Sequence, residues 1–322
     1  MKGTIREDNV VAIRTTRRSS KVCVTLRIVA DQYLISLERK QASVFTIKHE
    51  RECIRAILKH LPEDIAVESI TTEYLEKQVF DEMRARVLKP NTINGRIKTI
   101  RRVLNYAKEE GLVGTNAAYK LQKLIETNMG IHSFEEQQYM KILEQCNTTT
   151  FVGLRDKTIM ALMLDNGIRL RELVDLNVEQ VDLYGKVLKN VDGKTNTTDD
   201  LPLSESIVHL LATYIKERGR FPTSSSALFV TLDGRRLNRS TIQHAIADYG
   251  KRAGIDNVRV SAHTFRHTFS RIWILNGGDA FTLRRILRHK TMEMVNRYIH
   301  LWGHEVVERH ETFSPFAGHK LL

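Results

Sequence analysis

The sequence predicts a mainly α-helical protein with a small antiparallel β-sheet, arranged as an N-terminal four-helix domain and a mixed α+β second domain. Three observations favour this fold class. Residues 22–124 carry apolar side chains at helical spacing. Two strand-like runs, 185–191 and 197–203, flank a turn that contains glycine, which is typical of a hairpin. With 322 residues, 42% of them hydrophobic, the chain can form two separate cores.

The composition indicates an anionic partner. The formal net charge is +12 and the isoelectric point is about 9.6, which favours nucleic acid first and an anionic membrane surface second. Up to Gly130 there are 24 basic and 16 acidic residues, an excess of 8, against an excess of 4 in the remainder. We therefore expect the first domain to hold a nucleic-acid backbone.

Nothing in the sequence predicts export or membrane insertion. The cysteines, Cys23, Cys53 and Cys146, lie in no metal-ligand spacing, as expected of reduced thiols. No apolar run approaches the ~20 residues that span a bilayer, and the N-terminus has no secretory signal. We expect a cytoplasmic protein that does not bind membranes.

Residues 1–20 are predicted to be a basic tail, either flexible or an arm that contacts nucleic acid, and residues 21–127 a helical domain. Caps and apolar spacing predict four helices in that domain, at 25–37, 43–61, 70–87 and 89–110. Two of them carry a basic or polar stripe, formed by Lys48, Arg51, Arg55 and Lys59 and by Asn94, Lys98 and Arg101. One such stripe is usually a solvated face, but two in one small domain favour DNA binding.

Residues 128–322 are predicted to form the second domain, after a linker at 117–131. We expect a first helix that starts at 133–136. Further helices are expected at 154–164, from Arg169 to Asp175, at 204–218 and at 240–253, and a short strand at 228–231. Gly167 should end the second of these helices, because glycine adopts the left-handed conformation readily. Arginines before the last helix form another basic patch: Arg235, Arg236 and Arg239.

The stretch from Ser261 to His300 carries the most specific chemistry. His263 and Arg266 are three residues apart and share a face of a helix, and His289 and Tyr298 follow. Imidazoles, a guanidinium and a phenol without paired carboxylates suit a phosphate better than a carbonyl group. Tyrosine can act as a covalent nucleophile.

Each of these residues also has a simpler interpretation. Upstream, Arg169 and Glu172 could form an ordinary surface ion pair. Lys194 could be a solvated lysine at a hairpin tip, and Lys186 and Lys189 are alternatives to it for any functional role of a lysine in this hairpin. Likewise, Tyr298 could be a helix-packing residue, and the four-residue spacing of His263 and His267 could suggest zinc, although no acid completes the ligand set.

Taken together, the order of these residues resembles the tyrosine recombinase family, also called the phage integrase family. The matching positions are Arg169, Lys194, His263-x-x-Arg266, His289 and Tyr298. The resemblance covers about Val22 to Tyr298, and residues 91–116 look like the last helix of the family's four-helix core-binding domain. It implies a core-DNA-binding domain followed by a mixed α+β catalytic domain.

The resemblance also implies a reaction, in which Tyr298 attacks a DNA phosphodiester and forms a 3′-phosphotyrosyl link. Arg169 and Arg266 are then implied to hold the phosphate oxygens, and Lys194 to protonate the leaving 5′-oxygen. His263 and His289 are implied to form further hydrogen bonds, and one of these two histidines to help deprotonate the phenol. Glu172 is implied to orient Arg169 or a histidine. No metal, cofactor or ATP is expected.

The implied partners are double-stranded DNA with inverted-repeat core sites, a homotetramer on two duplexes and, as an open point, accessory DNA-bending proteins. Integration, excision and resolution of a mobile element or replicon remain alternatives, as does chromosome or plasmid dimer resolution. A non-cutting regulator of the same fold, a type IB topoisomerase-like enzyme and a zinc hydrolase are the competing hypotheses.

Two positions depart from the family pattern, and a third feature resembles it. Asn166 stands where the family usually has Thr or Ser, and Arg288 where it usually has Gly. Both changes can alter the local geometry, and Arg288 is a further candidate for a phosphate contact. The tail segment Phe313–Phe316 resembles the family's C-terminal segment that docks on a neighbouring protomer, or else is a frayed end.

Binding to double-stranded DNA should weaken steeply with salt, because the basic side chains displace counterions from several phosphates. Fluorescence anisotropy with a labelled duplex at increasing sodium chloride gives the slope of log affinity against log salt. A slope near zero would contradict the prediction that charge drives binding.

Overall fold

The computed structural model describes residues 24–125, 131–192, 198–221, 223, 225–289 and 291–302. By its internal contacts the chain divides into two compact units, Met1–Met129 and Gly130–Leu322. This division lies close to the predicted domain boundary at 127/128. The predicted basic tail at 1–20 and the segment at 313–316 lie outside the described residues.

The first unit is helical, and its helix starts are set by side-chain caps. Thr25, Ser43 and Thr71 each accept a backbone N–H from the first turn that follows them. The helices are α1 (Leu26–Arg39), α2 (Val44–Leu58), α3 (Thr72–Leu75), α4 (Asp81–Ala85) and α5 (Pro90–Glu109). The predicted helices at 25–37, 43–61 and 89–110 are confirmed within a few residues.

The predicted helix at 70–87 is interrupted by one wide turn. A π-helical turn, Glu76–Phe80, joins α3 to α4 and makes a single helical run. Val79 and Phe80 in this turn are fully buried. The additional residue that a π-helical turn contains therefore directs two apolar side chains into the core.

The core of the first unit forms where α5 packs on α1 and α2. Ile93, Ile97 and Ile100 follow the helical repeat and are at most 2% exposed. The predicted linker at 117–131 is wrong over its described first part: Ala117–Lys120 is a 3-10 turn, and Ala118 and Leu121 are buried in this core. Apolar residues in that stretch add to the core of the first unit.

The second unit is mixed α+β, as predicted. Its elements are α6 (Glu136–Glu144), α7 (Phe151–Asn166), α8 (Leu170–Asp175), β1 (Val181–Asp182), β2 (Val187–Asp192), β3 (Thr198–Pro202), α9 (Glu205–Arg218), α10 (Arg239–Arg252), α11 (Ala262–Leu275), α12 (Ala280–Leu287) and α13 (Glu293–Trp302). None of the helices in the described part of either unit has the length and apolar character needed to cross a membrane.

The central helix is α7, which packs against α6, α9, α10 and α11. Its apolar residues lie on all sides, as expected of a helix surrounded by other elements. It ends at Gly167, whose φ of +64° is left-handed. This confirms the predicted stop and lets the chain turn directly into α8.

The sheet is antiparallel in the order β1-β2-β3, and the predicted hairpin of β2 and β3 is confirmed. Leu188 pairs with Leu201, and both are buried. The prediction missed the short strand β1. The predicted strand at 228–231 is wrong: this buried segment makes only the isolated bridge Val230–Arg236, because it packs into the core without a partner strand.

A smaller apolar cluster joins α11, α12 and α13. Its buried members are Phe269, Ile274, Leu283, Leu287, Val295 and Tyr298. Through this cluster, apolar packing fixes the position of α13 relative to α11.

Gly167→Ala should destabilise the second unit more than Gly254→Ala does. Both glycines have a left-handed φ, so both variants carry about 1–2 kcal/mol of backbone strain. A Cβ at Gly167 would also lie 2.7 Å from Phe269 Cδ1 and 2.9 Å from Leu287 Cδ2, whereas at Gly254 no atom of the described part of the chain lies within 4 Å. The overpacking adds about 1–3 kcal/mol.

Urea unfolding followed by tryptophan fluorescence measures this difference, since both tryptophans lie in the second unit. Equal losses of unfolding free energy in the two variants would contradict the close packing at Gly167.

Candidate active site

Arg266 links the ends of two helices in the second unit. It lies on α11, which starts after the Ser261 cap, and it is only 5% exposed. Its guanidinium donates to the carbonyl oxygen of Gly167, at the end of α7, and from Nη2 to Leu287 O at 2.6 Å, at the end of α12. The same Nη2 lies 2.9 Å from His289 Nε2. Helix ends expose unpaired carbonyls, so a buried cation is well placed there.

Arg169 reaches the adjacent carbonyl. It caps α8, and its Nη2 donates to Arg288 O at 2.9 Å. Its Nη1 binds Glu172 Oε1 at 2.8 Å, and its backbone N–H binds Glu172 Oε2 at 3.0 Å. Two guanidinium groups from distant parts of the sequence thus meet on the consecutive carbonyls of Leu287 and Arg288.

Tyr298 lies beside this pair on α13 and is 1% exposed. Its hydroxyl oxygen is 2.8 Å from His267 Nδ1. The ring centroids of His267 and His289 lie 5.7 Å and 6.4 Å from that of Tyr298, and His263 lies 6.4 Å from His267. Imidazoles therefore flank the phenol on two sides.

The buried site favours neutral imidazoles. Burial, reinforced by nearby positive charge, lowers the pKa of His267 and of His289 to about 4, and it also lowers the pKa of His263. Since Arg266 can only donate, His289 Nε2 must accept, which places the proton of this neutral ring on Nδ1. Burial lowers the pKa of Arg266 to about 9, so that it remains a cation at neutral pH.

Burial raises the pKa of the Tyr298 phenol, and Arg266 and Ser270 act against that rise. The phenol is therefore protonated at neutral pH in the described structure. A nucleophilic role requires a group that accepts its proton, and His267 Nδ1 is within hydrogen-bond distance.

Glu172 accepts hydrogen bonds from two arginines. Besides Arg169, the guanidinium of Arg288 donates to its Oε2, and the side chains of Glu172 and Arg288 are 6% and 3% exposed. Burial by itself would raise the pKa of Glu172, but the charges of Arg288 and Arg169 bring it below its ordinary value. Glu172 is thus an anion that both arginines hold in place.

Lys194 lies outside the described residues. Its two competitors in the hairpin have carboxylate partners: Lys186 binds Glu205, and Lys189 Nζ lies 2.7 Å from Asp182 Oδ2. Neither ammonium group is directed at the two arginines in this arrangement.

The predicted DNA-binding residues divide into exposed and internal ones. Exposed positions on α2, α5 and the loop before α10 are Lys48, Arg55, Lys59, Lys98 and Arg235. Arg51, partly buried, lies 3.6 Å from Glu38, and Arg239 is partly buried as well.

Asn94, Arg101 and Arg236 have internal partners. Asn94 is 2% exposed and binds the backbone N–H and carbonyl of Leu124, which makes it unable to read a base edge. Arg101 donates to the carbonyls of Ala118, Tyr119 and Leu121. A further three acceptors hold Arg236: Val174 O, Leu176 O and Asn177 Oδ1.

The zinc hypothesis gains no support from the described residues, which contain no group of three or more His, Cys, Asp or Glu that could hold a metal ion. The sequence analysis considered His267 only as a zinc ligand and Arg288 only as a candidate phosphate contact, whereas the structure places His267 beside Tyr298 and Arg288 against Glu172. His267 could have been found because it lies one helical turn beyond His263. Nothing in the sequence indicates that Arg288 points inward.

Comparisons with known proteins match both units of the chain to proteins of one kind. The model of the phage integrase family matches residues 132–304, and that of the phage integrase SAM-like domain matches residues 27–122. Tyrosine recombinase XerC of Histophilus somni is 24% identical over 286 residues, 89% of this chain and 96% of that protein. Tyrosine recombinase XerD of Staphylococcus haemolyticus is 32% identical over 184 residues, 56% of this chain and 62% of that protein.

Solved structures share the fold. The Tn1549 transposon integrase in complex with transposon right-end DNA has a TM-score of 0.72 at 16% identity, and the match covers 88% of this chain and 99% of that chain. A λ integrase dimer bound to a COC′ core site has a TM-score of 0.69 at 17% identity, covering 85% and 95%.

His267 and His289 should titrate with midpoints at about 4 in the folded protein. Histidine-labelled protein followed by NMR measures these midpoints, and His267→Gln and His289→Gln assign the signals. In the unfolded chain both rings should titrate at about 6.5. The unfolded state then binds protons that the folded state does not, so stability is lost as pH falls from about 6.5 to about 4. Ordinary midpoints in the folded protein would contradict the buried, neutral imidazoles.

Proposed function

The chain belongs to the phage integrase family, the tyrosine recombinases that act in site-specific DNA recombination, and we propose that Tyr298 is its nucleophile. One observation carries this proposal: Arg169 and Arg266 bind consecutive carbonyls at the end of α12, next to Tyr298. Two fixed cations beside a phenol form a site for one phosphate group that tyrosine attacks.

The arginines supply the positive charge that the reaction requires. When the phenol oxygen attacks, phosphorus becomes five-coordinate and its non-bridging oxygens become more anionic. A guanidinium has five N–H donors, and Arg266 uses three for Gly167, Leu287 and His289 among the described residues, which leaves two for phosphate oxygens. Because the donors are already held in place, little reorganisation is required during the reaction.

His267 is proposed to accept the phenol proton. The bond from Tyr298 Oη to phosphorus forms as that proton moves to His267 Nδ1, and the bond from phosphorus to the 5′-oxygen breaks. Tyr298 is almost fully buried, so the phenol leaves its apolar cluster before it meets the phosphate. A bound phosphate raises the proton affinity of the nearby imidazoles, since opposite charges favour the protonated ring. His263 and His289 are proposed to donate further hydrogen bonds to the phosphate.

Lys194 is proposed to protonate the leaving 5′-oxygen. Support comes from its position in the sequence between β2 and β3 and from the carboxylate partners of Lys186 and Lys189. An ammonium group acts as a general acid once its surroundings lower its pKa.

The reaction as proposed needs neither metal nor ATP. Two arginines and a lysine provide the charge, and the 3′-phosphotyrosyl link retains the energy of the phosphodiester. A 5′-hydroxyl of a second strand can then reverse the step, with His267 returning the proton to Tyr298.

The first unit is proposed to bind the DNA backbone through its exposed basic residues, Lys48, Arg55, Lys59 and Lys98. Its match to the family's SAM-like domain supports this role. The full assembly is proposed to be a tetramer on two duplexes with inverted-repeat core sites. Integration, excision or resolution of a mobile element is the proposed setting.

Tyr298→Phe should abolish covalent attachment to DNA. A nicked suicide duplex that carries the recombination site traps the phosphotyrosyl link, which appears as an adduct that resists SDS, and EDTA should not prevent it. The matched control is Tyr184→Phe, because Tyr184 is 99% exposed and should leave the adduct intact. An adduct that persists in Tyr298→Phe would place the nucleophile elsewhere.

A further inference from the structure

Arg288 occupies an unusual position for a residue with a side chain. It follows α12 in the left-handed conformation, with φ 50° and ψ 49°. This region disfavours residues with a Cβ, and glycine is the common choice at the end of a helix. The left-handed turn directs the backbone carbonyl of Arg288 towards Arg169 Nη2, 2.9 Å away.

The side chain of Arg288 turns inward from the same position. Its guanidinium donates to Glu172 Oε2, and the side chain is 3% exposed. Its Nη1 lies 3.4 Å from Ile286 O, and its buried Nε has no partner among the described residues. Burying a cation with an unsatisfied donor is unfavourable unless the ion pair with Glu172 compensates for it.

Hydrogen bonds in turn restrict the carboxylate of Glu172. Arg169 Nη1 and the Arg169 backbone N–H bind its two oxygens, and Arg288 binds Oε2 from the other side. Without Arg288, a carboxylate that is 8% exposed would face a single cation. Loss of that counter-charge would weaken the hold of Glu172 on the Arg169 guanidinium.

We propose that Arg288 is a positioning residue for strand transfer: it fixes the guanidinium of Arg169 through its own carbonyl oxygen and, by way of its side chain, through Glu172. It acts without touching the DNA. This inference rests on the proposed function, because it concerns the orientation of a phosphate-binding arginine.

Arg288→Gly tests the side-chain contribution. Glycine suits the left-handed turn and keeps the carbonyl, so the variant should fold, and its urea midpoint checks this. At saturating enzyme, the single-turnover rate of cleavage of a suicide duplex should fall about 10-fold to 100-fold, as expected when a catalytic group is slightly misplaced. DNA affinity and its salt slope should stay at the wild-type values.

The conservative and matched variants separate positioning from a general effect of charge. Arg288→Lys keeps a cation near Glu172 and should recover part of the rate. Arg285→Gln removes one charge from the exposed face of the same helix and should cleave at the wild-type rate.

A double variant tests the route through Glu172. Glu172→Gln combined with Arg288→Gly should be no slower than Glu172→Gln alone, within about twofold, because both changes break one chain of contacts. In Arg288→Gly, the acid limb of the rate profile should also move to higher pH. Glu172 loses a nearby cation there and takes up a proton more readily.

Three results would overturn the assignment. If the rate losses of Glu172→Gln and Arg288→Gly multiply in the double variant, Arg288 acts independently of Glu172. A weaker affinity with a smaller salt slope, at an unchanged saturated rate, would make Arg288 a direct phosphate contact. A wild-type rate in Arg288→Gly would show that the side chain contributes nothing. These three results leave the proposed function intact. If the wild type itself forms no adduct at Tyr298, the proposed function fails, and the role assigned to Arg288 fails with it.

Discussion

The end of α12 brings together side chains that lie far apart in the sequence. Its last carbonyls, those of Leu287 and Arg288, have no helical partners and carry the negative end of the helix dipole. Arg266 binds the first and Arg169 the second. Each guanidinium satisfies a carbonyl that would otherwise lack a hydrogen-bond partner among the described residues, and the two cations consequently lie side by side. Glu172 offsets part of their mutual repulsion, since its negative charge favours the cationic form of Arg266 whereas the charge of Arg169 opposes it.

The proposed nucleophile is held by a different kind of contact. Tyr298 belongs to an apolar cluster with Phe269, Leu283 and Leu287, and this packing sets the distance between α13 and α11. Its hydroxyl group joins the polar network, 2.8 Å from His267 Nδ1. Leu287 connects the two systems, since its side chain packs in the cluster and its carbonyl binds Arg266. Leu287 therefore couples the apolar packing around Tyr298 to the position of the Arg266 guanidinium.

Local signals predicted most of the helices and the turn at Gly167, because caps and left-handed glycines act within a few residues. The order of the site residues identified the family without any geometry. Long-range partners could not be predicted in the same way. Asn94 and Arg101 lie on a helix face that looks solvated, yet they bind backbone that returns 17 to 30 residues later. The inward direction of Arg288 likewise depends on Glu172, 116 residues earlier in the chain.

The proposal that Arg169 and Arg266 act on one phosphate can be tested with a suicide duplex whose scissile phosphate is replaced by a neutral methylphosphonate. Arg169→Ala and Arg266→Ala should fail to cleave the ordinary phosphodiester, since its negative charge is then not neutralised. Both variants should regain cleavage of the methylphosphonate, which needs no such neutralisation. If neither variant cleaves the neutral linkage while the wild type does, the two guanidinium groups do not act by neutralising that phosphate.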